Sequence, residues 1–170
     1  MTAANVDVLD TASLAGKLAG FDAVITAFSG HAQADTYDYY LRGIRSIIAA
    51  AKQARAPRLL VVGGAGSLEV APGVQLVDTP EFPEIYKPTA LGAREALNVL
   101  RKDKELNWTL LSPAMMITPG QRSGKFRLGA DQLLVDAAGN SAISVEDYAV
   151  AMIDEVEKPK HERRRFTVAY

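Results

Sequence analysis

A parallel α/β sheet with helices on both faces is the fold class the sequence predicts, and three observations carry it. Near-continuous apolar runs at residues 21–28, 58–62 and 108–111 have the composition of strands covered on both sides. Between them lie segments whose apolar residues recur at three- and four-residue steps, the period of a helix. Each run also ends in small residues: Ser29-Gly30, Gly63 to Ser67, and Pro113-Ala114. In parallel sheets the ligand lies beyond the C-terminal strand ends, and small residues there let it approach the backbone.

Taken in order, residues 5–9 read as a short strand, with Val6 and Val8 alternating against polar neighbours. Asp10 or Thr11 caps a short helix carrying Leu14 and Leu18, and Gly20 closes it. The run at 21–28 is the first buried strand. Tyr37, Tyr40, Leu41, Ile44, Ile47, Ile48 and Ala51 then mark a strong helix. The strand at 58–62 runs into Gly63-Gly64-Ala65-Gly66-Ser67. A proline-rich loop follows, then a helix over residues 89–104 with Ala90, Ala93, Leu97 and Leu100 on its apolar face. The third buried strand ends at Ser112-Pro113. Residues 126–135 predict two short strands. Ser144-x-x-Asp147 is a capping-box variant opening a helix with Val145, Tyr148, Ala149, Met152, Ile153 and Val156 inward. Residues 165–170 predict a final strand. With no repeat or linker, residues 1–170 read as a single domain.

The 170 residues can bury a sizeable core. A net charge of −1 gives no electrostatic reason to expect nucleic acid or an anionic membrane as partner. The chain has no cysteine, which excludes disulfides, thiolate catalysis and thiolate metal sites. No apolar run approaches a membrane span, and the first residues do not form a signal peptide. A cytoplasmic protein acting on a small molecule is the expectation.

Several stretches carry a family resemblance: VVGGAGSLEVAPGVQLVDTPEFP, WTLLSPA, GKFRLGADQLLVD, SAISVEDYAVAMIDEVE and RRFTVAY. Together they resemble the NADH-flavin reductases, atypical short-chain dehydrogenase/reductase proteins of the NAD(P)H-binding, NmrA-like group. The resemblance implies a Rossmann-like sheet, an NAD(P)H cofactor and a flavin as one acceptor. It also places the motif Asp7-Val8-Leu9-Asp10 at the adenine side of the cofactor, with Asp7 contacting the adenine amino group.

The family begins with a strand, a G-x-x-G-x-x-G turn and a helix, and a βαβ unit takes roughly 30 residues. Only a few residues precede Asp7. The glycines at Gly63 do not substitute, because no helix opens there to present N–H groups to a phosphate. The expectation is therefore a sheet lacking its first βαβ unit, either cut short or as a natural short form. The kept sites favour the former. Its run at 21–28 would then have an open inner edge. Residues 5–9 would slide in beside it, or two chains would pair there as a homodimer.

Candidate site residues follow from the strand ends. Asp7 either accepts from adenine or flanks the helix. Phe28, Ser29 and Gly30 either pack on adenine and ribose or simply turn the chain. Gly63, Gly64, Ala65 and Gly66 form a loop at the site, and by resemblance Ser67 stands where short-chain dehydrogenases place a catalytic serine. Pro113, Ala114 and Met115 would by resemblance face the nicotinamide. Tyr86-Lys87 lacks the Tyr-x-x-x-Lys spacing of a proton-transfer pair. Arg94, His31 and His161 read as surface residues.

A flat acceptor that takes its proton from water needs no such pair, so reduction of a flavin or related molecule is the expected activity. The alternative is a non-catalytic NAD(P) sensor of the NmrA-like type.

Overall fold

The computed structural model describes residues 2–31 and 33–170. Helix α1 (Thr11–Leu18) starts where Asp10 accepts hydrogen bonds from the Ser13 amide (3.0 Å) and hydroxyl (2.6 Å), satisfying donors that a first turn leaves orphaned. Strand β1 (Val24–Thr26) leads to α2 (Thr36–Gln53), whose Leu41, Ile44, Ile47 and Ile48 are buried. After β2 (Leu59–Val62) come the hairpin strands β3 (Glu69–Ala71) and β4 (Val74–Gln75). They are joined at Gly73, whose φ of 73° suits glycine alone. Helix α3 (Lys87–Lys102) opens with Pro88 in its first turn, where a missing N–H loses nothing. Then follow β5 (Trp108–Ser112), β6 (Met116–Thr118), β7 (Arg127–Gly129), β8 (Ala142–Ser144), α4 (Val145–Glu157) and β9 (Arg164–Ala169).

The main sheet runs β1-β2-β5-β9-β7, parallel except for β7, and β6 pairs β8 in a separate two-stranded piece. Strand alternation sorts the core into two layers. Leu59, Val61, Trp108 and Leu110 face α2 and α3. Leu60, Leu111, Phe166 and Val168 face the other way, onto Tyr148, Ala151 and Met152 of α4. The predicted parallel α/β sheet with helices on both faces is the fold observed.

Three expectations are corrected. Residues 5–9 form no strand: Asp7 accepts the Leu9 amide at 2.9 Å, its carbonyl accepts the Asp10 amide, and the chain turns there. Period-2 alternation without a ladder partner does not make a strand, and Val8 instead packs against the α2 and α3 layer. The segment therefore does not slide in beside β1. The strand at 21–28 shrinks to three residues, with Phe21 60% exposed. Residues 126–135 hold one strand, β7, and a single bridge from Gln132 to Glu69.

Charged groups pin the layers. Arg58 donates to the Glu155 carbonyl (2.7 Å) and carboxylate (3.1 Å) and to the Thr109 hydroxyl (3.0 Å). Glu155 also accepts from the amides of Lys160 and His161 and faces the His161 ring at 2.8 Å. Burial pushes its carboxyl up, but the His161 and Lys160 donors outweigh it and hold the group below the usual range. Near the α4 start, Asp147 accepts from the Ser123 hydroxyl (2.5 Å), the Gly124 amide (2.8 Å) and the Tyr170 hydroxyl (2.9 Å). The Ser123 hydroxyl is the main cause of its lowered pKa, with burial opposing.

Candidate functional site

The parallel register places the C-terminal ends of β1, β2 and β5 at one edge of the sheet. A cleft of about 750 Å³ opens there, within the range of small-molecule sites. One wall comes from Ala27, Phe28, Ser29 and His31 after β1. The floor is the turn after β2, and Met115, Met116 and Ile117 form the wall after β5. The loop between β4 and α3 covers the far side with Phe82, Pro83 and Tyr86.

The glycine turn is shaped by packing. A Cβ on Gly66 would lie 2.8 Å from the Ala90 Cβ, and one on Gly64 would lie 3.1 Å from the Ala93 Cβ. Small residues on both sides let the turn lie flat on α3. The Gly63 amide donates to the Leu111 carbonyl at 2.8 Å, and the buried Tyr148 hydroxyl donates to the same oxygen at 2.7 Å. Both lone pairs are thus used, and β2 is tied to β5 directly below the cleft. Burial pushes the Tyr148 phenol far above its usual range, so it serves here as a donor.

Ser67 lies outside the cleft lining. It is 4% exposed, and both its hydroxyl (3.0 Å) and its carbonyl (3.1 Å) accept from Arg165. Arg165 is itself held by Asp131. The serine anchors the turn from behind.

The other sequence candidates separate in the same way. Phe28, Ser29, Gly63, Gly64, Ala65, Gly66 and Met115 line the cleft. Gly30 is buried against α2, where a Cβ would lie 2.3 Å from the Thr36 carbonyl oxygen, so its role is the turn. Pro113 and Ala114 are buried under the lining. Asp7 and Val8 are on the N-terminal turn and do not line it. Arg94 pairs with Asp78 at 2.8 Å, and Lys87 pairs with Glu84. Lys87 donates to Glu84, and no hydrogen bond joins it to Tyr86 among the described residues.

Two residues were read otherwise from the sequence. His31 bridges the cleft mouth, its Nδ1 3.0 Å from the Ser29 hydroxyl and its Nε2 3.1 Å from the Thr89 hydroxyl. Tyr40 sits on the apolar stripe of α2 yet reaches the cleft, its ring stacked on Phe28 at 6.0 Å. Burial raises its phenol to about 12. A core stripe and a site residue share one sequence pattern, and a lone histidine gives no local signal. Among the described residues no group of acidic, histidine or cysteine side chains has metal-site geometry.

A smaller cavity of about 270 Å³ lies on the opposite face, beside α4 and Phe126. Its inner charges are already spent on the Arg58–Glu155–His161 cluster.

A cleft over the carboxyl ends of parallel strands, walled by glycines and apolar side chains, defines a Rossmann-type nucleotide-binding protein. The model of the NAD(P)H-binding family matches residues 1–159, and the chain belongs to that family. Solved structures similar to it include the following. An exported-protein candidate from Burkholderia pseudomallei is 45% identical, with 97% of this chain and 79% of that one covered, at a TM-score of 0.90. A protein from Bacteroides thetaiotaomicron, provisionally named an epimerase, is 44% identical over all of this chain and 80% of its own, at 0.91. One from Streptococcus pneumoniae, provisionally named an NADH-flavin reductase, is 36% identical, covering 96% and 78%, at 0.82. No helix among the described residues is long and apolar enough to cross a membrane.

Proposed function

We propose that the protein is an NAD(P)H-dependent reductase whose acceptor is a flavin or a related flat molecule. The observation that carries this reading is the cleft itself: apolar, walled by Phe28, Met115 and Tyr86, and without a proton relay. The name of the Streptococcus pneumoniae protein points the same way. An epimerase, like an alcohol dehydrogenase, must move a proton at carbon or oxygen, and Tyr86 has no lysine four residues on to help it do so.

The residues fit the nicotinamide end of the cofactor. Gly63 to Gly66 leave a flat floor for a ring, and the side chains of Met115 and Phe28 exclude water from its sides. Among the described residues no glycine turn opens a helix toward the cleft, so the pyrophosphate has no cradle of N–H groups in this chain. When bound, a reduced nicotinamide supplies a hydride, which leaves it oxidised, and the acceptor takes the hydride plus one proton from water. The chain's own contribution is orientation, which can supply much of such a rate effect. Tyr40, kept protonated by burial, lines the wall and is not placed to act as an acid at neutral pH. A cytoplasmic setting, where NAD(P)H is plentiful, suits this chemistry.

The experiment uses two hydride donors with riboflavin: NADPH, and 1-benzyl-1,4-dihydronicotinamide, which has no pyrophosphate to hold. The expected result is faster oxidation of the benzyl donor with protein than without it. Binding of both donors without acceleration of either would replace this reading with the sensor of the NmrA-like type.

A further inference from the structure

The charge of the cleft narrows the acceptor class, an inference that rests on the reductase reading above. Of all the cleft-lining residues, Glu81 alone carries a formal charge at neutral pH. It is exposed at the lip, and among the described residues it has no hydrogen-bond or ion-pair partner. The nearby cations of α3 lie outside the cleft lining and each already has a carboxylate partner: Lys87 is paired with Glu84 and Arg94 with Asp78. His31 has both ring nitrogens engaged by hydroxyls. An anionic ligand would therefore leave water for an apolar wall with no counter-charge and would face a carboxylate on entry. Both effects oppose it.

We propose that the cleft takes uncharged planar acceptors, of the quinone or unphosphorylated flavin class, and that Glu81 is the residue that turns away acceptors with a negative charge near the ring.

The test is binding rather than turnover, so it is independent of hydride transfer. Menadione and 1,4-naphthoquinone-2-sulfonate share a ring system and differ in one fixed negative charge. Their affinities are measured by quenching of tyrosine fluorescence, since Tyr40 and Tyr86 line the cleft. The chain has no cysteine, so addition of a thiol to the quinone does not confuse the titration. We expect menadione to bind about tenfold or more tightly than the sulfonate, a factor that like-charge repulsion and an unpaired anion readily supply.

Glu81→Gln should narrow that ratio and Glu81→Lys should narrow it further or invert it. Equal affinities in the wild type, or no detectable binding of menadione, would overturn the proposal. So would a ratio unmoved in Glu81→Lys. Selective binding without faster oxidation of the benzyl donor would sink the reductase reading while leaving this one standing.

Discussion

Replacing Gly63 by alanine puts a methyl group where the structure has no room. An ideal Cβ there would lie 2.4 Å from Cδ2 and 3.0 Å from Cγ of Leu110, and 3.1 Å from the Leu111 carbonyl oxygen. Leu110 is 1% exposed, packed in the layer between the sheet and α2 and α3, so it has nowhere to turn. The Leu111 oxygen is backbone, clamped by the Gly63 amide and the Tyr148 hydroxyl. The backbone of Gly63 is not left-handed, so the whole effect is steric. Overpacking of a tight core costs about 1–3 kcal/mol. A domain of this size loses about 2–4 °C of Tm per kcal/mol, so Gly63→Ala should melt about 2–12 °C below the wild type.

Gly16→Ala is the matched control. Its Cβ meets nothing within 4 Å, and it sits inside α1, so it should stabilise by about 0.5–1 kcal/mol through helix propensity. Thermal melts followed by circular dichroism measure both. A Gly63→Ala protein that melts at or above the wild-type temperature would refute the packing argument for the turn.

Arg58→Ala strips the buried Glu155 carboxylate of its cation and should destabilise by about 3–5 kcal/mol in urea titrations; a loss under 1 kcal/mol would show the pair to be idle. Asp147 and Glu155 are both held below their usual values. The unfolded chain therefore binds protons at mildly acid pH that the folded chain refuses. The stability they contribute is full above about pH 5 and is lost as pH falls through their folded values. Asp147→Asn should flatten that acid loss, and an unchanged slope would contradict it. The described chain should bind NADPH no tighter than high micromolar by calorimetry, because the pyrophosphate has no cradle. A low-micromolar Kd would reverse that view. The outer edge of β1 has no ladder partner among the described residues, and Ile25 is 44% exposed. Sedimentation should show concentration-dependent pairing that Ile25→Lys weakens, and a strict monomer at high concentration would dismiss it.

The central strands and the three long helices were legible because their signal is local. Residues 58–62 and 108–111 are apolar throughout, and Tyr40 to Ala51 keep helical period. What was not legible depended on partners distant in sequence. β6 and β8 pair across residues 119–141, a stretch that holds β7, and each is too short to announce itself. The β3–β4 hairpin did carry a signal, Pro72-Gly73 between apolar residues, that went unread. The alternation of Val6 and Val8 misled because Val8 packs on the core without pairing in a ladder. At the site, the strand-end rule located the cleft and most of its floor. It could not tell lining from support, so Ser67, Pro113 and Ala114 were grouped with residues that face the opening. That distinction is made by Arg165, 98 positions from Ser67.

The flat seat of the glycine turn on Ala90 and Ala93 has a consequence for anyone wishing to change what the cleft accepts. One side of it is immovable. Enlarging residue 90 or 93, both of which line the cleft, would crowd the glycine turn and narrow the opening. The other side is upholstered: Met116 and Ile117 belong to a small sheet separate from the main one, Met115 directly precedes it, and each of the three is at least 39% exposed. Methionine is the most compliant of apolar side chains. Substrate range should therefore drift, in nature or in a directed library, through positions 115–117 and 82, while the glycines and their alanines stay fixed.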